Sequence, residues 1–240
     1  MTNILIVTDN IVLYKKIESL FLTKGRKDIC IQCRHSPSKS SIWKHHDTIE
    51  EIDVNKKIDW IVANFHLVIS VHCLQFFPKE LVDAVRCVNI HPGYNPINRG
   101  WYPQVFSIIH DLPIGATIHE MDEKLDHGPI IARQLVDKYD WDTSLSIYNR
   151  VLETEILLLD LYFDSIIDNT YTKIRPEAHS NMYRKSDFAA LCEIDMNQSG
   201  SFREFYDLLR ALSHGVYKNA FFMTEQGEKV FIKMEIEKQV

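Results

Sequence analysis

No stretch of this 240-residue chain approaches the roughly 20 consecutive apolar residues that a membrane-spanning helix needs. The opening MTNILIVTDN turns acidic and polar before a signal-peptide core or cleavage site develops, so a cytoplasmic location is expected and membrane contact is not. Basic charge is also short: 27 Lys and Arg stand against 33 Asp and Glu, and the cations are scattered among the acids. That balance argues against nucleic acid as the main partner and for a small, metabolite-like one. Cysteine is sparse, with Cys30, Cys33, Cys73, Cys87 and Cys192 forming an odd, dispersed set unlike a secreted disulfide framework. Cys30 and Cys33 make one CxxC, but no second ligand pair follows at zinc-like spacing, and the apolar setting predicts buried thiols. The first apolar run is not followed by GxGxxG, and GxxxxGK[ST] and HExxH are missing. The usual dinucleotide and phosphate-cradling devices and a compact zinc site are therefore lacking, and no metal is expected. No internal repeat or low-complexity tract occurs.

What remains is a chain with 45% hydrophobic residues, enough for a substantial core. NILIVTDN reads as a buried strand, IVLYKKIESLFL as a helix and DICIQC as a second strand. The polar RHSPSKSSIWKHHD reads as a loop. A short strand near TIEEID, a helix near KKIDWIVAN, the apolar strand HLVISVHC, a helix in FPKELVDAV with Pro78 near its first turn, and the strand VRCVNIH continue the series. Strands alternating with short helices predict an α/β fold, a Rossmann-like, mostly parallel sheet with helices on both faces. IGATIHEMD and GPIIARQLVD read as a further strand pair, and TSLSIYNRVLETEILLLDLYFDSII as a long helix. From about Tyr171 the chain becomes polar, then offers a helix at SFREFYDLLRAL and two strands around Gly227. The expected division is 1–170 for the main domain and 171–240 for a small C-terminal helix and β-hairpin region.

The stretch CVNIHPGYNPINRG carries the chemistry. Asn89 and His91 are two apart and share one face of the strand, while Val88 and Ile90 face the other way. In a parallel sheet, ligands bind beyond the carboxyl ends of strands, which is where these two side chains fall. Pro92, Gly93, Pro96 and Gly100 then shape a loop beside them. Asp126, in LDHGPI, is a turn residue in one reading. In the other, its carboxylate orients His91 and stabilises the protonated form while the histidine handles a proton, and Asn89 offers an amide N–H to a developing oxyanion. His72, His119 and His127 lie in or beside other apolar runs, without ligand-like spacing.

FPKELVDAVRCVNIHPGYNPINRG together with IGATIHEMDEKLDHGPII resembles the catalytic domain of the N10-formyltetrahydrofolate-dependent formyltransferases, most strongly over Phe77 to Ile131. That family's Asn-x-His falls on Asn89 and His91, and its loop aspartate on Asp126. The resemblance implies transfer of a formyl group from the co-substrate N10-formyltetrahydrofolate to an amine without a metal, with the folate held near His72, Gln75, Phe76, Phe77, Lys79, Asp122 and Leu125. NPINRGWYP and the later segments MYRKSDF and LRALSHGVYKNAFF are similar to the sugar formyltransferases that act on dTDP-linked 4-amino-4,6-dideoxy sugars, of the kind found in lipopolysaccharide O-antigen. This implies substrate contacts at Asn98, Arg99, Gly100, Trp101, Tyr102, Tyr183, Arg184, Lys185, Tyr217 and Asn219, with Lys218 beside them. Alternating and aromatic positions in NAFFMTEQGEKVFIKMEIE leave a hairpin edge to be covered, so a homodimer with the C-terminal strands at or near its interface is expected. Formylation of glycinamide ribonucleotide and an inactive folate- or nucleotide-binding regulator stand as the alternatives.

Overall fold

The structure, a computed structural model, describes residues 1–37, 43, 49–176 and 181–239. The chain alternates β1 (Thr2–Thr8), α1 (Ile11–Lys24), β2 (Ile29–His35), β3 (Glu50–Glu51), α2 (Ile58–Asn64), β4 (Leu67–Val71), α3 (Lys79–Ala84) and β5 (Arg86–His91). It continues with β6 (Arg99–Gly100), α4 (Pro103–Ile109), β7 (Gly115–Glu120), β8 (Ile130–Leu135) and the 25-residue α5 (Ser144–Asp168). The remainder holds β9 (Met182–Tyr183), α6 (Lys185–Cys192), α7 (Phe202–Leu212), β10 (Phe221–Met223) and β11 (Lys229–Phe231).

Seven strands form one sheet in the order β3-β2-β1-β4-β5-β7-β8. The first five pair in parallel, and β7 and β8 close the far edge antiparallel. The alternation of the strands divides the core. Ile4, Ile6, Leu67, Ile69, Val88 and Ile90 face α1 and α5 on one side, while Leu5, Val7, Val68 and Cys87 meet Ile61, Phe65, Phe77 and Leu81 on the other. Helix α1 starts where the Asn10 side chain accepts the N–H groups of Val12 and Leu13, and it ends at Gly25, whose φ of 61° suits a residue without Cβ. Its buried Leu13, Ile17 and Phe21 sit at i, i+4 and i+8, and burial of each contributes about 1.5–3 kcal/mol. Phe21 meets Phe163 of α5 edge-on at 4.7 Å.

The sheet and its order of helices are as the apolar pattern predicts. Two helices are additions: α4, over PQVFSII, and α6, over KSDFAALC, both in segments to which the sequence pattern assigns no element. The C-terminal strands are shorter than expected, three residues each. Cys30 is exposed, against the expectation of a buried thiol, because it sits on an outward position of β2. Cys33 is half-buried, and burial pushes its thiol up to about 12. Most of the loop expected over RHSPSKSSIWKHHD lies outside the described residues. Among the described residues no helix is long and apolar enough to cross a membrane.

Candidate active site

The register of β4, β5 and β7 assembles the site. Ser70 pairs with Asn89 and Val71 with Ile90, while antiparallel pairing sets His119 of β7 opposite Asn89 and Thr117 opposite His91. Four polar groups therefore meet at the sheet edge. The Asp126 carboxylate is buried, accepts the Gly100 N–H at 3.0 Å and an Asn89 amide N–H at 3.1 Å, and lies 3.5 Å from both His91 Nδ1 and His119 Nε2. Burial opposes its charge, but His91, His119 and the Gly100 N–H outweigh that and hold the carboxyl down at about 2. It is an anion at any working pH.

His91 is buried as well, and burial disfavours its cation. Asp126 pulls the other way, His119 and His72 add to the lowering, and the net effect is a pKa below the ordinary histidine value. With Nδ1 turned to the carboxylate, Nε2 carries the lone pair. That atom is buried and makes no hydrogen bond of good geometry, although the Asn98 backbone beside the ring joins Asp126 in favouring the cation. It packs over Gly93, where a Cβ would come within 2.4 Å of it. The 92–98 loop is fixed around this point: the Thr117 hydroxyl donates to the Gly93 carbonyl, the Asn95 N–H donates to Thr117 Oγ1, and the Asn95 amide donates to the Asp126 carbonyl. The Asn95–Pro96 peptide is cis. Gly100, at φ 91°, can bring its N–H to Asp126 because it has no Cβ; one would lie 2.2 Å from the Tyr183 carbonyl.

His119 is a site residue that apolar alternation hid. Its Nδ1–H donates to the Glu120 carbonyl at 2.7 Å, leaving Nε2 to accept from Asn89 Nδ2 at 3.2 Å. Both Asn89 amide hydrogens are thus in use, one on Asp126 and one on His119. Serving an oxyanion means releasing one, and the bond to neutral imidazole is the weaker of the two.

The expected substrate contacts separate into two groups. Arg99, Trp101, Tyr183 and Arg184 line one cleft of about 480 Å³ with Lys124, Leu125 and Met182. Lys185 closes its side, with Nζ 3.9 Å from the Trp101 ring centroid. The pairing of β6 with β9 builds this cleft, bringing the 182–185 segment back across the sequence to the loop that follows His91. Tyr183 also stacks on Phe106 at 3.8 Å and Tyr102 on Phe188 at 4.0 Å, so both rings brace the junction. Asn98 is fully buried, donating to Ser107 Oγ and the Pro113 carbonyl, and is a structural residue, contrary to expectation. Tyr217 and Asn219 lie on the turn after α7, not in this cleft; Tyr217 is exposed beside His214, and Asn219 donates to the Leu212 carbonyl. Lys218 lies over the Phe231 ring.

The expected folate contacts also divide. Phe76 and Leu125 are exposed, and Lys79, at the start of α3, bonds Asp83 at 2.7 Å and lies 3.9 Å from Glu123 in the loop after β7. Asp122 stiffens the second loop by accepting from His127 Nδ1 and the Lys124 N–H. Three side chains are committed elsewhere and correct the expectation. Phe77 is a core residue with 1% exposure. The Gln75 amide is used at both ends, accepting the Val54 N–H and donating to Ser36 Oγ and the Ile52 carbonyl. His72 turns toward α5, where it meets Glu155 at 2.9 Å.

The formyl transferase profile matches residues 34–160, more than half of the chain, with the active-site strand and both flanking loops inside it. The chain belongs to the formyl transferase family. An N-formyltransferase dimerization C-terminal domain matches residues 187–238. This N-formyltransferase is 46% identical over 189 residues to the dTDP-4-amino-4,6-dideoxyglucose formyltransferase of Mycobacterium tuberculosis, covering 79% of this chain and 81% of the relative. It superposes on a sugar N-formyltransferase from Shewanella with a TM-score of 0.97 and 40% identity, over 100% of both chains. A 4-N formyltransferase from Francisella tularensis follows at 0.94 and 38%, over 99% of each.

Proposed function

We propose that this enzyme transfers the formyl group of N10-formyltetrahydrofolate to the 4-amino group of a dTDP-linked 4-amino-4,6-dideoxyhexose, the gluco form, giving the 4-formamido sugar and tetrahydrofolate. The carrying observation is the buried Nε2 of His91 beside an ionised Asp126, whose carboxylate holds the Gly100 N–H between Arg99 and Trp101, two residues that line a cleft with three cationic side chains and an indole. A neutral imidazole is the group able to take the proton of an attacking amine near pH 7. Asn89 stabilises the tetrahedral oxyanion by exchanging its His119 bond for one to the substrate oxygen. Asp126 orients His91 and balances the imidazolium that forms. Arg99, Lys124 and Arg184 suit a diphosphate, and Trp101 offers a face to a base or sugar ring. The likeness to the mycobacterial and Francisella enzymes supports the 4-amino acceptor.

The folate lies along the loops carrying Leu74, Phe76 and Leu125, which present exposed apolar surface beside the site. The unit 1–170 carries the chemistry, and 171–240 completes the cleft and forms a homodimer through exposed Met223, Val230 and Phe231. The enzyme works in the cytoplasm, where the folate pool lies. A competition assay tests the acceptor: with N10-formyltetrahydrofolate, dTDP-4-amino-4,6-dideoxyglucose gains one formyl mass at higher kcat/KM than the 3-amino isomer, the UDP-linked sugar or glycinamide ribonucleotide. Preference for glycinamide ribonucleotide overturns the assignment. Light scattering over a dilution series tests the dimer, and a monomer mass throughout contradicts it.

A further inference from the structure

A second proton-holding unit, built on a buried carboxylate, stands beside His91 and has no part in the mechanism above. Asp9 and His72 follow the paired Thr8 and Val71, and His72 and His91 follow the paired Val71 and Ile90, so His72 comes next to His91 at the sheet edge. A left-handed φ of 50° at His72 breaks the strand alternation and sends the imidazole to α5. There Nε2 meets both Glu155 oxygens, at 2.9 and 3.0 Å, and Nδ1 lies 3.2 Å from Tyr148 Oη. Tyr148 Oη in turn accepts an amide N–H of Asn10 at 2.9 Å. With Glu155 ionised, Nε2–H donates to the carboxylate and Nδ1 faces the Tyr148 hydroxyl, with an Asn10 amide nitrogen also 3.5 Å away, which orders the chain as Tyr148 to His72 to Glu155. A carboxylate, an imidazole and a hydroxyl in series are the parts of a general-base triad.

Glu155 is 1% exposed, and a buried carboxylate in the middle of a long helix is too costly to be a packing choice. Burial pushes its carboxyl up while His72 draws it back. Burial and the nearby Glu155 raise Tyr148, so its hydroxyl passes a proton on without ionising alone. The other groups facing the unit are Asn10 at the end of β1, His91 on β5, and His214 and Tyr217 on the turn after α7, with the His214 ring 5.3 Å from that of Tyr148. The Asp9 carboxylate is turned away, accepting from Ser36 and from the Leu74 N–H.

We propose that Tyr148, His72 and Glu155 relay away the first proton of the acceptor, which arrives as an ammonium ion; this rests on the amine acceptor proposed above. Formylation of R–NH3⁺ removes two protons from the nitrogen. His91 handles the second, which ends on the folate nitrogen as the C–N bond to the formyl carbon breaks. In the first step an ammonium N–H bond breaks, its electron pair stays on nitrogen, and the proton goes to Tyr148 Oη as the Tyr148 proton passes to His72 Nδ1. Glu155 holds the resulting imidazolium. Reversal of the chain after product leaves gives one proton to water, which completes the balance.

The test compares wild type, Tyr148→Phe and Glu155→Gln from pH 7 to 9.5, with N10-formyltetrahydrofolate and dTDP-4-amino-4,6-dideoxyglucose. At pH 7, where an alkyl amine is mostly charged, Tyr148→Phe lowers kcat/KM for the sugar by about 10-fold to 100-fold and leaves the folate KM within about twofold. The defect shrinks steadily as pH rises and the amine arrives uncharged; a merely structural defect stays constant. Glu155→Gln follows the same trend, and if it does not fold, Tyr148→Phe carries the test. A pH-independent defect, or none at pH 7, overturns the relay while wild-type formylation of the sugar stands. A wild-type enzyme inert toward every amino sugar removes the acceptor assignment and the relay with it.

Discussion

Two walls of the candidate site, the buried strand end and the cleft joined to it through Gly100, are held by different forces. At the end of β5, Asn89, His91 and Asp126 are fixed by strand register, by a main-chain N–H and by burial. At the second, Arg99 and Trp101 meet Met182 to Lys185 through a two-residue strand pair and a cation over an indole. The first wall is a buried network in which loss of one member strands the others. The second is half exposed, and water and salt compete for its contacts. In the proposed mechanism the reacting groups are therefore preorganised and recognition of the acceptor is adjustable, and substitutions on the two walls should differ in which kinetic constant they move.

The largest effect is expected at the first wall. His91→Asn retains both ligands and lowers kcat by about 10²–10⁴-fold, as measured by single-turnover mass spectrometry. Asn89→Ala and Asp126→Asn follow at about 10²–10³-fold, the first by loss of an oxyanion donor and the second by loss of the charge that supports imidazolium. Gly93→Ala sharpens the claim of tight placement: its Cβ would displace the His91 ring, and kcat falls by about 10-fold or more while the melting temperature moves by a few degrees at most. Unchanged kcat in Gly93→Ala would show that the ring has room.

At the second wall, Trp101→Ala and Arg99→Ala raise the sugar KM by about 10-fold and change kcat little, and the Arg99 effect diminishes at high salt. A kcat loss equal to that of Asn89→Ala would erase the distinction between the walls. The pH profile supplies a smaller signal. A lowered His91 pKa keeps the imidazole neutral as pH falls below 6.5, so the acid limb of kcat/KM for the folate lies below that value, and activity is lost as pH drops through the lowered pKa. The same sign governs stability: the unfolded chain takes up the proton first, so His91 destabilises the fold increasingly as pH falls below 6.5. In Asp126→Asn the limb moves further to the acid side, because the group that raised the pKa is gone. The smallest effect belongs to Asn219→Ala, which removes one bond to the Leu212 carbonyl: about 1 kcal/mol of stability by denaturant melt, with kcat and sugar KM unchanged.

The same contrast marks how far sequence reaches. The parallel strands were legible because both of their faces are buried, giving continuous apolar runs, and Asn89 and His91 stood out as polar residues at the end of one. His119 did not, since in ATIHE it reads as an interior strand position; only its antiparallel register opposite Asn89 makes it part of the site. Helix α4 follows Tyr102 in a left-handed conformation, and its seven residues are nearly all buried, which leaves no amphipathic period to detect. Gln75, Phe77 and Asn98 lie next to functional residues in the chain, but their side chains point into the protein, a fact of three dimensions that adjacency does not carry. The separation of Tyr183, Arg184 and Lys185 from Tyr217 and Asn219 likewise depends on β9 pairing with β6.

The proposed mechanism makes His91, oriented by Asp126, the base for formyl transfer to a nucleotide-linked amino sugar. Its most direct test is a single-turnover reaction of wild type and His91→Asn with N10-formyltetrahydrofolate and dTDP-4-amino-4,6-dideoxyglucose, with binding of both ligands measured in parallel by calorimetry. Wild type is expected to give a one-formyl mass gain on the sugar, and His91→Asn near-normal binding of both ligands with a rate reduced at least about 100-fold. Near-normal turnover by a folded His91→Asn enzyme would contradict the mechanism.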